Sequence, residues 1–427
     1  MFDSDGGIQV AARDDIEPNA LRQAELSEAY AKNIAEGKAP YEGVTLRSYG
    51  ELLWIMAQRN WSGEPLAVNS GRPNLCGIDL SDVNLSGAYL FRANLSGAIL
   101  IGTNLERADL FQANLTGANI MGANLSGANL YQADLSGADM YQTTLIAATL
   151  HLADLSAAGL WAANATDAFL YQASFRGAYL NRADLKGANL QEADLRDATL
   201  TRADLRAACL VGARLDEATI LRGVILDRRT WLADVAWSGA SLTHVELSQA
   251  PVLGDEAAIR ESKALGRRHY IAACRDAARA YRGLSLALRT QGYLAQASRY
   301  RLREQRMERK ALRKERRYIS WLFSCILNLM CGYGERSARA FVAYMAVVLG
   351  FTGAYYGITH LFQTKLAELS WDQALVLSLT SFHGRGFFPG SLPLGDWVAR
   401  AAAVEAVIGL FIELIFVASF SRRFLGN

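Results

Sequence analysis

The chain has 427 residues, a length that suggests two or three domains. Its hydrophobic content of 51%, charged content of 20% and formal net charge of +2 exclude general disorder and a strongly polyanionic or polycationic protein. Five scattered cysteines make no disulfide framework, and 7 prolines against 36 glycines exclude a collagen-like or proline-rich architecture.

The first residues carry no basic segment followed by an apolar one, so no secretory signal peptide is expected and the first module is placed in the cytoplasm. Residues 19–37 and 48–60 read as two amphipathic helices. Residues 1–70 are therefore expected to form a helical lead-in that caps the next module, as stacked repeats require.

Residues 71–250 are expected to form that module. From Leu75 onward nearly every fifth residue is large and apolar, as in Leu80, Leu85, Leu90, Leu95 and Leu100. Two positions earlier stands a small residue, as in Ala88, Ala93 and Ala98, running on to Ala218. Between them comes Asn or Asp, and Gly often follows two after the Leu (Gly87, Gly97, Gly117). A helix repeats at 3.6 residues and a strand at 2, so neither explains a period of five. The chain must turn a corner every five residues. Leucines then stack into an interior column, alanines fit the crowded corner, and Asn, Asp, Ser and Gly supply turn chemistry. The frame is expected to slip after Ile225, at a loop or a cap around residues 227–230, and to resume at Leu232, Trp237, Leu242 and Leu247.

These residues resemble the pentapeptide-repeat family, with its Ala-(Asp/Asn)-Leu-x-x unit. The resemblance spans about 155 residues and about 31 units. It implies a right-handed quadrilateral β-helix of roughly eight coils, near 37 Å long at about 4.8 Å per coil. Some members of that family are acidic rods that mimic DNA and bind topoisomerases. Between Arg72 and Arg222 stand 15 acids and 11 bases, too mild an imbalance for that role, and no nucleic-acid partner is expected.

Residues 251–318 change character. Ala273, Ala277, Ala280, Tyr281, Leu284 and Leu288 recur at helical spacing, Gln291 and Gly292 interrupt them, and a second helix follows. This predicts a cytoplasmic αα-hairpin that resembles one tetratricopeptide unit, running into a basic juxtamembrane helix. Residues 299–339 hold 12 Arg or Lys against 4 Glu, so the rest of the chain is near −6. Such a run can bind nucleic acid or flank a membrane. Its place immediately before apolar segments favours the membrane.

Residues 319–336 begin with about 12 apolar positions, too few to span, and predict an interfacial helix. Residues 337–427 hold two longer apolar segments. The first, 340–362, has no Asp, Glu, Lys or Arg; the second, 397–420, carries Arg400, Glu405 and Glu413. Basic flanks at 299–339 and at Arg422 and Arg423 place both ends on the cytoplasmic side. Between the spans Ser370 and Gln373 form a capping-box signature, followed by about three apolar helical turns. Then come Thr380, Ser381, Phe382, His383, Gly384, Arg385 and Gly386. A short apolar helix between two spans, ended by Gly-x-Gly, reads as a re-entrant pore loop.

Residues 338–423 resemble the two-transmembrane pore-loop ion-channel family, which includes potassium channels. The resemblance implies a homotetramer with residues 380–386 as the filter and the second span lining the inner pore. The fold expected for the whole chain is thus mixed: β-helix, cytoplasmic hairpin, and an α-helical membrane domain with two transmembrane helices and a pore helix. His383 and Arg385 depart from the potassium filter pattern, and four Arg side chains near a narrow pore favour anions. Glu405, Gly409, Ile412, Glu413, Phe416 and Phe420 lie on one strip of the second span, and its acids favour cations if it faces the pore. Glu405 alternatively bonds Arg400 or the pore helix, Arg385 alternatively points to external water or pairs with Asp396, and Ile412, Phe416 and Phe420 alternatively face lipid. Gly332, Tyr333 and Gly334 look like a potassium filter tripeptide but precede the first span and read as the turn into it.

The five histidines and five cysteines show no metal-ligand spacing, and no phosphate loop or nucleophile motif occurs. No catalytic residues, metal or cofactor are expected. The expected partners are the lipid bilayer, permeant ions, other copies of the chain and an unidentified cytosolic ligand or protein. The expected location is a bacterial inner membrane, with both termini and the β-helix cytoplasmic. A membrane-anchored scaffold that binds a cytosolic protein is the alternative.

Overall fold

A computed structural model describes residues 18–58, 73–242, 245, 252–332, 337–361, 368–383 and 397–424. The chain divides into two compact units, Met1–Tyr300 and Arg301–Asn427.

The first unit is a β-helix with helical ends. Parallel bridges join each outward Asn or Asp to its counterpart 20 residues on: Asn94 to Asn114, Asn114 to Asp134, Asp134 to Asp154. Four pentapeptides therefore close one coil. Up to Leu215, every central Leu and every Ala two before it points inward and is buried.

The five backbone amides of a unit account for the five-residue code. In the unit around Leu95, the Ala93 amide closes a turn on Leu90 O, at 3.0 Å. Asn94 donates to Pro73 O in the preceding coil, at 2.7 Å; Leu95 and Gly97 donate to Asn114 O and Thr116 O in the next, at 2.7 and 2.9 Å. That leaves the Ser96 amide, which donates to Asn94 Oδ1 at 3.3 Å. The same Asx bond recurs from Thr116 to Asn114 at 3.0 Å and from Tyr141 to Asp139 at 3.1 Å. Asn and Asp are thus frequent there because the ladder leaves one amide per unit without a carbonyl. The residue two after the Leu is left-handed in each of these units, with φ of 64° at Gly97 and 53° at Gln112, which is why Gly is frequent there.

The frame slips earlier than the sequence suggested. The bridge spacing lengthens by one residue at Thr199–Ile220 and by two at Cys209–Trp231. Leu221 and Leu226 point inward, while Ile220 is exposed, as is Ala218. An Asp-x-x-Thr box widens the corner: Asp216 Oδ1 accepts the Thr219 amide at 3.0 Å and the Asp197 amide of the preceding coil at 2.9 Å. Asp227 and Thr230 repeat the device, with Asp227 Oδ1 accepting the Ala207 amide at 2.9 Å. A side-chain oxygen here replaces a displaced backbone carbonyl. Burial acts to raise the Asp216 and Asp227 carboxyls, but these donors outweigh it and hold both below the usual range.

Helices α1 (Ala20–Ala35) and α2 (Tyr49–Gln58) lie at the N-terminal end. Thr45 between them bridges Asp79, so this segment continues the first coil's ladder. At the other end stand α3 (Gly254–Ser262), α4 (Arg267–Thr290) and the start of α5 (Leu294–Lys314). These helices close the β-helix. The Asp255 carboxylate, 1% exposed, accepts the Leu232 and Ala233 amides at 2.8 and 3.2 Å. The Gln291 amide mimics a peptide, donating to Ala240 O at 2.6 Å and accepting from Leu242 N at 2.7 Å. Gly254 donates to Thr230 O at 2.7 Å, and a Cβ there would lie 2.5 Å from Arg229 O. Burial pushes the Asp255 carboxyl up to about 6.

The second unit holds the end of α5, α6 (Tyr318–Cys331), α7 (Ser337–Leu361), α8 (Trp371–Phe382) and α9 (Trp397–Phe424). Gly332 ends α6 in a left-handed cap, its amide donating to Asn328 O and Leu327 O. Tyr333 and Gly334 lie outside the described residues. Among the described residues one helix is long and apolar enough to cross a membrane by length and composition, Phe341–Leu361. Helix α9 has 28 residues, ample length, but carries Arg400, Glu405 and Glu413. The expected second span is thus not among the described helices that meet this criterion.

Candidate functional site

The predicted site residues fall in the second unit, where α8 packs against both α7 and α9. Helix α8 begins at the capping box, with Gln373 Oε1 accepting the Ser370 amide at 3.1 Å. Ala374, Leu377, Ser378, Ser381 and Phe382 form its buried face.

Glu405 joins the three helices. It is fully buried. Its Oε2 accepts the Tyr355 hydroxyl of α7 at 2.6 Å, and its Oε1 accepts the Ser378 hydroxyl of α8 at 2.5 Å. Of the alternatives open for this residue, α8, the helix expected to line a pore, supplies a partner, through a hydroxyl instead of a cation. Around it Tyr355, Ala374, Leu377, Val398 and Ala402 form one buried cluster. A single acid placed in a wall of apolar residues thus finds two donors within its own chain, as a buried polar group must.

One turn on, Gly409 faces the end of α8. A Cβ there would lie 2.0 Å from Phe382 O, so only Gly admits this approach. Ile412 is buried with Phe382 and Val348. The strip Glu405, Gly409 and Ile412 is therefore turned onto α7 and α8 and not away from them. The reason is steric and polar together: the acid follows its hydroxyl donors and the glycine follows the close backbone. Glu413 is half-exposed and bonds His383 Nδ1. His383 Nε2 lies 3.4 Å from the Tyr344 hydroxyl, and Phe382 packs edge-on to the Tyr344 ring at 4.8 Å. Thr380 is half-buried and donates to Val376 O at 2.9 Å within its own helix, while Ser381 is buried. Gly384, Arg385, Gly386 and Asp396 lie outside the described residues, as do the side chains of Phe416 and Phe420. Arg400 lies over the Trp397 ring at 5.1 Å.

What the sequence reading missed was the donors. Tyr355 and Ser378 carry no pattern of their own. A lone acid in an apolar helix was the available signal that donors exist, but not which residues they are.

The β-helix carries a second candidate surface. Its four faces differ. Two opposite faces are polar, with ladders such as Asn84, Asn104 and Asn124, bonded side chain to side chain. The other two carry aromatic columns. Phe91, Phe111 and Tyr131 stack at 5.3 and 5.4 Å, and His151 and Tyr171 continue the column. Opposite stand Ile101, Met121, Tyr141 and Trp161. Among the described residues no group of three or more His, Cys, Asp or Glu side chains is placed to hold a metal ion.

The family model for pentapeptide repeats matches in eight copies over residues 74–97, 88–127, 123–160, 153–191 and 178–216. Among solved structures the chain is similar to HetL of the cyanobacterium Nostoc sp. strain PCC 7120, a pentapeptide repeat protein involved in regulating heterocyst differentiation. The identity is 30%, over 48% of this chain and 98% of that one, with a TM-score of 0.30. It is similar also to Rfr23 of the cyanobacterium Cyanothece 51142, at 30% identity over 25% of this chain and 90% of that one, with a TM-score of 0.23. QnrB1, a plasmid-mediated fluoroquinolone resistance protein, matches at 18% identity over 41% of this chain and 89% of that one, with a TM-score of 0.28. No curated protein matches.

Proposed function

The chain belongs to the pentapeptide-repeat proteins, and from that premise we propose a membrane protein in two parts. The β-helix is a cytoplasmic protein-contact and regulatory module. The second unit is a pore-loop module in a bacterial inner membrane that conducts ions passively as a homotetramer, with no cofactor and no catalytic step.

The observation that carries this reading is the packing of the 12-residue α8 against two long helices, α7 and α9. A helix this short cannot span about 30 Å of hydrocarbon by itself. Its backbone ends are tolerated at membrane depth only inside protein or beside a water-filled path. The 21 residues of Phe341–Leu361 rise about 32 Å, a match to that thickness. Outward side chains are apolar on both long helices: Phe341, Val342 and Leu349 on α7, and Val404, Val407, Leu410 and Leu414 on α9 are all exposed. In water such faces are a liability; in lipid they are the expected surface. A single pore loop cannot enclose a path, so closure requires symmetric copies.

Of the inner-pore residues, Glu413 is the half-exposed acid, bonded to the filter residue His383 at the α8 end, and Phe416 and Phe420 stay inner-pore candidates. Glu405 becomes a positioning residue. Arg385 remains a filter candidate. Planar-bilayer recording on the purified full chain tests conduction. Single-channel currents with a reversal potential that follows a salt gradient are expected; silence across conditions together with a monomeric or dimeric mass overturns the pore. The second reading, an anchored scaffold, is favoured by the exposed aromatic columns of the β-helix.

A further inference from the structure

A notch on the β-helix has the chemistry of an arginine receptor. Along one outward column of a flat face the residues are Asp79, Ile99, Asn119, Asp139, Gly159, Tyr179 and Thr199, each bridged to the next. Gly159 alone lacks a side chain. Its backbone does not require glycine, because its φ is not in the left-handed region. A Cβ there would meet nothing nearer than Asp139 Oδ1 at 3.7 Å, so ordinary residues fit. Gly159 also gives up the Asx bond that Asp139 makes to the Tyr141 amide at 3.1 Å. What its absence of side chain leaves is an opening.

The opening is lined by Tyr141, Trp161 and Tyr179, with Asp139 at one end. Tyr141 and Trp161 stand edge to face, with centroids 6.3 Å apart. All three rings are exposed, at 37%, 50% and 56%. Aromatic faces attract a cation through their quadrupole, and a carboxylate beside them adds a charge-assisted hydrogen bond. A guanidinium satisfies both at once, since its plane stacks on an indole while its fork meets a carboxylate. The notch is open and shallow, so it would bury little of a free small molecule. Neighbouring contacts must supply the remainder. They are available two and three coils from Trp161, where Met121 and Ile101 continue the same column.

We infer that this notch binds an arginine side chain of a protein partner, presented by an extended segment with an apolar residue three positions away. The spacing follows from geometry. Trp161 and Met121 are two coils apart, about 9.6 Å. In a polyproline II segment, residues three apart share a face and are about 9.3 Å apart. The inference rests on the protein-contact reading of the β-helix and is independent of conduction.

The test uses the full chain in detergent, with 5-fluorotryptophan incorporated and the Trp161 resonance assigned by Trp161→Phe. The probe is acetyl-Arg-Pro-Pro-Leu-amide. A saturable shift of the Trp161 resonance is expected. The same peptide with citrulline for Arg, or Asp139→Asn with the original peptide, should bind at least about tenfold more weakly. Gly159→Tyr, which fills the notch without touching the interior, should abolish the shift while leaving circular dichroism unchanged. Acetyl-Arg-Pro-Pro-Gly-amide should bind more weakly than the Leu peptide. No Trp161 shift, an equal shift with citrulline, or binding unaffected by Gly159→Tyr overturns the site. Equal affinity for the Leu and Gly peptides overturns the extended-segment partner. Membrane currents, present or absent, do not bear on either result.

Discussion

The two units satisfy buried polar groups in opposite ways. In the β-helix the need is periodic: one amide in five lacks a carbonyl, and an Asn or Asp side chain answers it in unit after unit, as at Asn94 and Ser96. In the α7–α8–α9 unit the need is singular. One carboxylate, Glu405, is answered once, by Tyr355 and Ser378 from two other helices. A periodic solution distributes its energy over many equivalent units, so no single outward residue matters much. A singular solution concentrates it, so a few residues matter a great deal.

The largest effects separate inside from outside. Phe175→Ala, at a fully buried inward position, should cost about 3–5 kcal/mol of unfolding free energy in the β-helix. Gln172→Ala, outward in the neighbouring unit, should stay within about 0.5 kcal/mol. Denaturant unfolding followed by circular dichroism compares them, and equal costs would contradict the interior-column account.

Next come the singular contacts. Glu405→Ala takes the acceptor from the buried Tyr355 hydroxyl, at about 1–3 kcal/mol, whereas the Ser378 hydroxyl keeps Val348 O at 2.9 Å. Glu405→Gln keeps an acceptor and should recover part of that loss. Gly409→Ala forces α8 off α9 and should destabilise the unit by about 1–3 kcal/mol, whereas Gly353→Ala on α7, where a Cβ meets nothing within 4 Å, should be neutral or slightly stabilising. Thermal unfolding of the full chain in detergent reads all four. If Gly353→Ala matched Gly409→Ala, close approach of α8 would not be the reason for Gly409.

A pH effect follows at the joint between repeat and cap. The folded carboxyl of Asp255 is raised to about 6 from an ordinary value of 3.8, so the folded state holds a proton that the unfolded state releases. Stability from this group is therefore fully present below about pH 4 and is lost as pH rises through about 6, by an amount on the order of 3 kcal/mol. Asp255→Asn should flatten that slope. Asp216 and Asp227 act in the other sense: their lowered carboxyls stabilise above the ordinary range, and that contribution disappears as pH falls below about 4.

The smallest effect concerns the corners. Ala147, at φ 53°, occupies a left-handed position, and Ala147→Gly should gain at most about 1 kcal/mol. A loss there would show that the corner costs less than its φ implies.

Much of the fold was legible because its causes are local. A period of five, an inward Leu and an inward Ala are visible in any four consecutive units. The start of α8 was equally legible, since Ser370 and Gln373 form their box within one turn. The slip at Asp216 was harder, because Ile220 and Leu221 are both apolar and only the Thr219 contact decides which turns inward. The helical segment after residue 254 read as a separate hairpin, since nothing in Asp255 or Gln291 announces that each will cap a coil more than 20 residues earlier.

The sequence by itself determined the β-helix, its interior, the short capped helix and the apolar segments flanking it. All of these follow from hydrogen-bond needs and side-chain periods within a few residues. Only the tertiary structure decided that Glu405 faces Tyr355 and Ser378, that Gly409 admits the Phe382 carbonyl, and that Gly159 opens a notch among three rings. Those contacts join residues 20 to 50 positions apart. Their physical cause is which surfaces meet, and no local pattern carries that.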